Sequence, residues 1–171
     1  MSELRSLERT TDALAVFPRQ LKQVFDLFPV NRRNWAPRSW HGVPSEALTA
    51  IEQISHVLDI EVEGYQVRFK RIRSETDPVL PDLPGEQMAA ERNYAGYDPD
   101  DVLARFGAAR LETIETIRGF AQGELSRTGI FEGTRTTLAG MVHFLCSHDQ
   151  QHLSGLQWLL AKLEQEAAVA R

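Results

Sequence analysis

The stretch TTLAGMVHFLCSHDQQHLSGLQWLLAKLEQE, residues 136–166, decides the architecture of this chain. It reads as one long helix. At about 100° per residue, Leu138, Met141, Leu145, Leu156, Leu159 and Leu163 fall within roughly 80° of His148. Thr134 or Thr136 can cap its start. His148 and His152 lie four apart on this apolar stripe, with Cβ atoms roughly 5 to 6 Å apart. Two buried imidazoles need partners, because an unpaired polar group in a core costs free energy. A divalent metal ion is one such partner; carbonyls or carboxylates of a neighbouring helix are another. On the same wheel His143 points about 140° and Cys146 about 160° away from His148, so neither joins the pair. Cys146 reads as a packing residue rather than a nucleophile.

Outward from this segment, three more stretches carry helical periodicity and none sustains period-two alternation, so the expected class is all-α. Asp98 and Pro99 open a helix running to about Arg127 through Val102, Leu103, Phe106, Ile114 and Ile117. Gly129 and Gly133 then bracket a short turn. A second helix runs from an N-cap at Ser45 to about Arg73. The first spans Glu3 to Phe28, where Pro18 predicts a kink or a start near Phe17. Pro29 to Pro44, with Trp35, Trp40 and His41, must cross the surface. Ser74 to Tyr97 contains Pro78, Pro81, Pro84, Gly85 and Gly96, which forbid a long helix. So long a connection reads as a crossover that sets the second and third helices parallel.

At 171 residues the chain suits one domain, residues 1–171, with a single core. A net charge of -5 gives no general attraction for a phosphate backbone, so no nucleic-acid partner is expected. No run of about 18 apolar residues suggests a membrane span. Met1 to Asp12 lacks the apolar run of a signal peptide, and a lone Cys146 forms no internal disulfide. The expected location is cytoplasmic.

The second helix offers a third imidazole, His56, with Glu52, Asp59 and Glu63 on the same side. Such carboxylates can hydrogen-bond behind a ligand and orient it. The apolar stripe of that helix, Ile51, Ile54, Leu58, Tyr65, Phe69 and Ile72, lies nearly opposite. On periodicity alone His56 reads as exposed.

The stretch from Trp40 to Glu61, whose helix reaches His56-Val57-Leu58-Asp59-Ile60-Glu61, resembles the first signature of the DinB-like proteins. Thr136 to Leu156, centred on His148 and His152, is similar to the second. The resemblance implies a four-helix bundle with up-down-down-up connectivity and a metal held by His56, His148 and His152. It implies a cleft toward one end of the bundle, faced by the polar side of the second helix. Glu52 and Asp59 would then stand behind the ligands. DinB-like relatives include thiol-dependent transferases and isomerases using low-molecular-weight thiols, beside proteins without a known reaction. The family name refers to induction by DNA damage and does not imply a polymerase.

Three neutral imidazoles leave coordination positions open, as in catalytic zinc sites, and nickel accepts the same ligands. Such a site can lower the pKa of a water to about 7 or take a thiol as thiolate. The leading expectation is a metal-dependent, thiol-dependent transferase or hydrolase acting on a small molecule. The alternative is a non-catalytic metal-containing binding or stress-response module. Substrate-sized access favours the first and an occluded metal the second. A zincin is excluded because Asp149 stands where its glutamate base would be. Trp35, Trp40, Tyr94 and Tyr97 are either walls of a ligand site or anchors for loops. A homodimer is expected because Tyr65, Phe69, Leu153 and Trp158 exceed what one core would bury.

Overall fold

Apolar spacing near 3.6 residues produces four long helical rods, and polar loops lay further short elements over them. The computed structural model describes residues 3–169. In chain order the helices are α1 (Glu3–Phe25), α2 (Ala50–Asp59), α3 (Gln66–Ser74), α4 (Gly85–Arg92), α5 (Pro99–Arg118) and α6 (Leu138–Val169). The strands are β1 (Thr128–Phe131) and β2 (Thr134–Thr137). α1 packs against α5 and α6, and α2 packs against the same two helices.

Several element boundaries differ from the expectation. α2 starts at Ala50, not after Ser45, because Thr49 is followed three residues later by Glu52. The Glu52 carboxylate accepts from the Thr49 backbone N–H and hydroxyl, both at 2.8 Å, satisfying groups at the helix start. Ser45 has no glutamate or glutamine at that offset, and residues 44–49 remain a loop. α1 is continuous through Pro18. Proline has no N–H for the Leu14 carbonyl one turn back, and that oxygen instead accepts from Arg110 Nη1 at 3.2 Å.

α2 and α3 form one rod joined by a π-helical turn, Ile60–Tyr65. One extra residue per turn rotates everything beyond it by roughly 100°. Tyr65 thereby comes round to the side on which His56 lies, and the two residues line the same cavity.

The purely helical expectation needs one correction. β1 and β2 pair antiparallel, with Thr128 opposite Thr137 and Phe131 opposite Thr134. Glu132 (φ 49°) and Gly133 (φ 74°) make the two-residue turn. Left-handed geometry at both positions matches the twist of a hairpin. Four-residue strands are too short to reveal alternation. Thr137, rather than Thr134 or Thr136, caps α6 by accepting from the Gly140 N–H at 3.0 Å. The crossover is tied to β1 by Leu80 N–H to the Ile130 carbonyl and Ile130 N–H to the Pro78 carbonyl, both 2.8 Å.

The core has two large parts. One gathers Leu7, Leu14, Phe69, Ile72, Ile117 and Met141; the other gathers Phe17, Phe25, Ile54, Phe106, Leu156 and Leu159. Burying each such side chain contributes about 1.5–3 kcal/mol. Tyr65 and Phe69, expected in part as surplus surface, lie in this core, whereas Leu153 and Trp158 are half-buried. No helix among the described residues is long and apolar enough to cross a membrane.

Candidate metal centre

Between the two parts of the core, α2 and α6 bring His56, His148 and His152 together. His148 Nε2 lies 3.1 Å from His152 Nε2 and 3.4 Å from His56 Nε2. Two nitrogens bound at about 2.0–2.1 Å to one tetrahedral ion stand about 3.4 Å apart, so this spacing suits shared ligation. Burial lowers the pKa of His56 to about 4 and that of His148 to about 3, the latter further lowered by His56. Burial also drives His152 well below its ordinary value. All three rings are therefore neutral near pH 7, with lone pairs available.

The reading as ordinary core histidines fails at His56, whose Nδ1 is buried without a hydrogen-bond partner among the described residues. Packing, rather than a hydrogen bond at Nδ1, holds that side of the ring. Gly85, at the start of α4, lies so close that a Cβ there would overlap it. α4 and Leu48, Met88, Ala89 and Tyr94 cover this side of α2, which explains how a residue opposite the apolar stripe is only 1% exposed.

His152 is oriented differently. Its Nδ1 is hydrogen-bonded to Gln53 Oε1. The Gln53 amide nitrogen donates to Ser45 Oγ at 2.7 Å and to the Glu46 and Leu48 carbonyls at 3.4 and 3.3 Å, so its oxygen is the atom left for the imidazole N–H. That fixes the tautomer in which Nε2 faces the other rings. A Cβ on Gly155 would collide with Ser45 Oγ, so the absent side chain lets this loop reach α6.

The loop ending at Thr49 adds Glu46, which the sequence reading missed. Its carboxylate approaches His152 Nε2 at 3.3 Å and His56 Nε2 at 3.6 Å, and the four residues form a group able to hold a metal ion. Burial raises its pKa. The Thr49-Glu52 spacing was the available signal, because a helix starting there leaves Glu46 free to fold back.

The two carboxylates expected behind the ligands are engaged elsewhere. Glu52 caps α2 as described. Asp59 accepts from Tyr94 Oη at 2.6 Å and from Arg92 Nη1 at 2.5 Å. Neither hydrogen-bonds a site histidine, and Gln53 supplies that contact instead. His41 is exposed, and exposed His143 contacts Thr10 Oγ1 at 3.2 Å. Cys146 is half-buried, and burial pushes its thiol up. Trp40 stacks on Trp158 at 6.2 Å, and Tyr94 is fully buried, which makes both anchors rather than walls.

Asp149, beside His148, belongs to a buried ion cluster. Arg110 Nε and Nη2 donate to Glu61 at 2.8 and 2.9 Å, and Nη1 and Nη2 donate to Asp149 at 2.6 and 2.9 Å. With the bond to Leu14, all five guanidinium donors are used. The cluster ties the π turn, α5, α1 and α6 together next to the histidines.

A cavity of about 250 Å³ opens on His56, His148 and Glu46. Its apolar walls include Ile60, Tyr65, Leu83, Phe131 and Phe144.

Among known proteins, the pattern of the DinB superfamily matches residues 13–155. No curated protein matches the chain. Among solved structures, the chain is similar to YfiT from Bacillus subtilis, with a TM-score of 0.83 and 17% identity over 96% of this chain and 90% of that one. YfiT is described as a probable metal-dependent hydrolase with an unusual four-helix bundle topology.

Proposed function

The chain belongs to the DinB superfamily, and from that premise we propose that it binds a divalent metal ion, zinc or nickel, through Nε2 of His56, His148 and His152. On this reading it is a metal-dependent enzyme acting on a small molecule, either a thiol-dependent transferase using a low-molecular-weight thiol or a hydrolase. The observation that carries the proposal is the cavity meeting His56, His148 and Glu46, because it gives a substrate a way to the ligand cluster. An ion held there supplies Lewis acidity, which depresses the pKa of a water or thiol that reaches it. Glu46, its own pKa raised by burial, stands where it can take the released proton. Gln53 holds His152 in its ligating tautomer, and Gly85 leaves room for the His56 ring. The description of YfiT keeps hydrolysis in the proposal.

Up-down-down-up connectivity is part of the same reading. It is supported by the pairing of Glu61 with Arg110, Phe69 with Phe120 and Arg73 with Glu124, which advances in one direction along both segments. A homodimer in the cytoplasm completes it, on narrower grounds than before, since Tyr65 and Phe69 are spent in the core.

The second reading is a non-catalytic metal-containing stress-response module. It draws on Glu46, which as a fourth ligand would close a tetrahedral site. Metal analysis of untagged protein, followed by assays with several thiols and a panel of electrophiles and esters, separates the two. The enzyme reading expects turnover that is lost in His148→Ala. Bound metal without turnover on any pair would transfer the case to the module.

A further inference from the structure

Among the described residues two arginines are almost wholly buried in this bundle, and they are treated differently. Arg110 is 1% exposed and spends five donors on two carboxylates and a carbonyl. Arg68, on α3, is 3% exposed and has no carboxylate partner among the described residues. Its Nε and Nη2 both donate to the Pro81 carbonyl, at 3.1 and 2.9 Å. Two of five donors are thus used, and both lie on the edge that Nε shares with Nη2. The terminal edge, carrying one hydrogen of Nη1 and the second of Nη2, has no acceptor among the described residues, and neither has the remaining Nη1 hydrogen.

The guanidinium is nevertheless held in place. It lies over the Tyr65 ring at 4.8 Å and the Phe131 ring at 4.5 Å, so two aromatic faces hold it. Arg68 lines the cavity that opens on His56, His148 and Glu46. Burying a cation without a counterion is costly, and burial accordingly lowers the Arg68 pKa. Asp82 and Glu132 line the same cavity but are exposed and do not pair with it.

We propose that Arg68 is a specificity-determining residue that binds the carboxylate of a small-molecule substrate or cosubstrate, through the unused terminal edge of its guanidinium, inside the histidine-lined cavity. That edge fits the two oxygens of one carboxylate in parallel, a geometry Arg supplies and Lys does not. Apolar neighbours Tyr65, Phe131, Phe144 and Leu83 take the remainder of the molecule. The acidic residues Glu46, Asp82 and Glu132 disfavour a second anionic group on it. The assignment deepens the proposed function by naming the ligand class for the same cavity.

The test compares benzoate with benzamide, which share a ring and differ in charge, by saturation-transfer NMR on metal-free and zinc-loaded protein. Benzoate is expected to bind the metal-free protein about ten-fold more tightly. The ratio should fall to about one in Arg68→Met, which keeps an apolar stem of similar length, and should fall only part of the way in Arg68→Lys. Equal binding of the two probes, binding of neither, or a ratio that survives in Arg68→Met overturns the proposal. If Arg68→Met does not fold, an unchanged ratio in Arg68→Lys overturns it. The metal-free arm keeps the two ideas apart: failure to take up metal sinks the metalloenzyme while leaving this ratio intact, whereas loss of the ratio in a metal-binding protein sinks only the role of Arg68.

Discussion

Gln53 on α2 and His152 on α6 are joined by a hydrogen bond between the amide oxygen and imidazole Nδ1, and it sets which ring nitrogen faces the candidate metal centre. Removing the amide in Gln53→Leu leaves the ring unoriented and frees the loop that carries Glu46. Metal affinity should drop by about 10- to 100-fold while the bundle stays folded. Competition with a chromophoric chelator measures this. Gln53→Glu keeps an acceptor for His152 but loses the donors to Ser45, Glu46 and Leu48, so it should bind metal better than Gln53→Leu. An affinity unchanged in Gln53→Leu would show that the contact only packs.

Glu52 should behave differently from Gln53 although the two are adjacent in the sequence. Its carboxylate completes the start of α2, so Glu52→Ala is expected to cost about 0.5–2 kcal/mol in urea unfolding. Metal affinity should remain at the wild-type value. A loss comparable to that of Gln53→Leu would restore Glu52 to the supporting role expected from its place beside His56.

His148→Ala should remove most of the metal affinity and leave a helical protein. The ring is only half-buried, and the α6 stripe through Leu138, Met141, Leu145, Leu156 and Leu159 remains in the core. Metal content and circular dichroism are read on the same sample. Loss of helicity along with the metal would mean that the ion is a structural staple.

Much of this was legible because α6 is regular: a single wheel put His148 and His152 on one buried stripe. The same wheel misjudged His56 because it asks only whether apolar residues share a side. That side of α2 is covered by α4 and Leu48, elements with few apolar residues of their own. The π turn at Ile60–Tyr65 added a second error by rotating the later half of the rod, so that no single wheel describes it. Glu46 was lost with the misplaced cap at Ser45. Arg68 and Arg110 drew no reading from the sequence, since nothing in one sequence announces that a long charged side chain turns inward. Their partners are a carbonyl in the crossover and carboxylates on other elements, and spacing along one helix cannot reveal either.

The cluster of Arg110, Glu61 and Asp149 leads to the sharpest stability prediction. All three side chains are 1% exposed, and burial pushes the Asp149 carboxyl up to about 7 against the pull of Arg110. Replacing Arg110 by Met retains most of the volume but strands two carboxylates in the core and leaves the Leu14 carbonyl, already without a helical donor because of Pro18, with no partner. Breaking a buried pair from one side costs about 3–5 kcal/mol, a large share of what holds a domain this size together. Urea unfolding should show that loss at pH 7. The triple variant Arg110→Met, Glu61→Gln, Asp149→Asn removes the stranded charges and should recover part of it, because neutral amides are cheaper to bury than carboxylates. An Arg110→Met midpoint within error of wild type would mean that water reaches the cluster and that the ions contribute little to holding α5, α6 and the π turn in register.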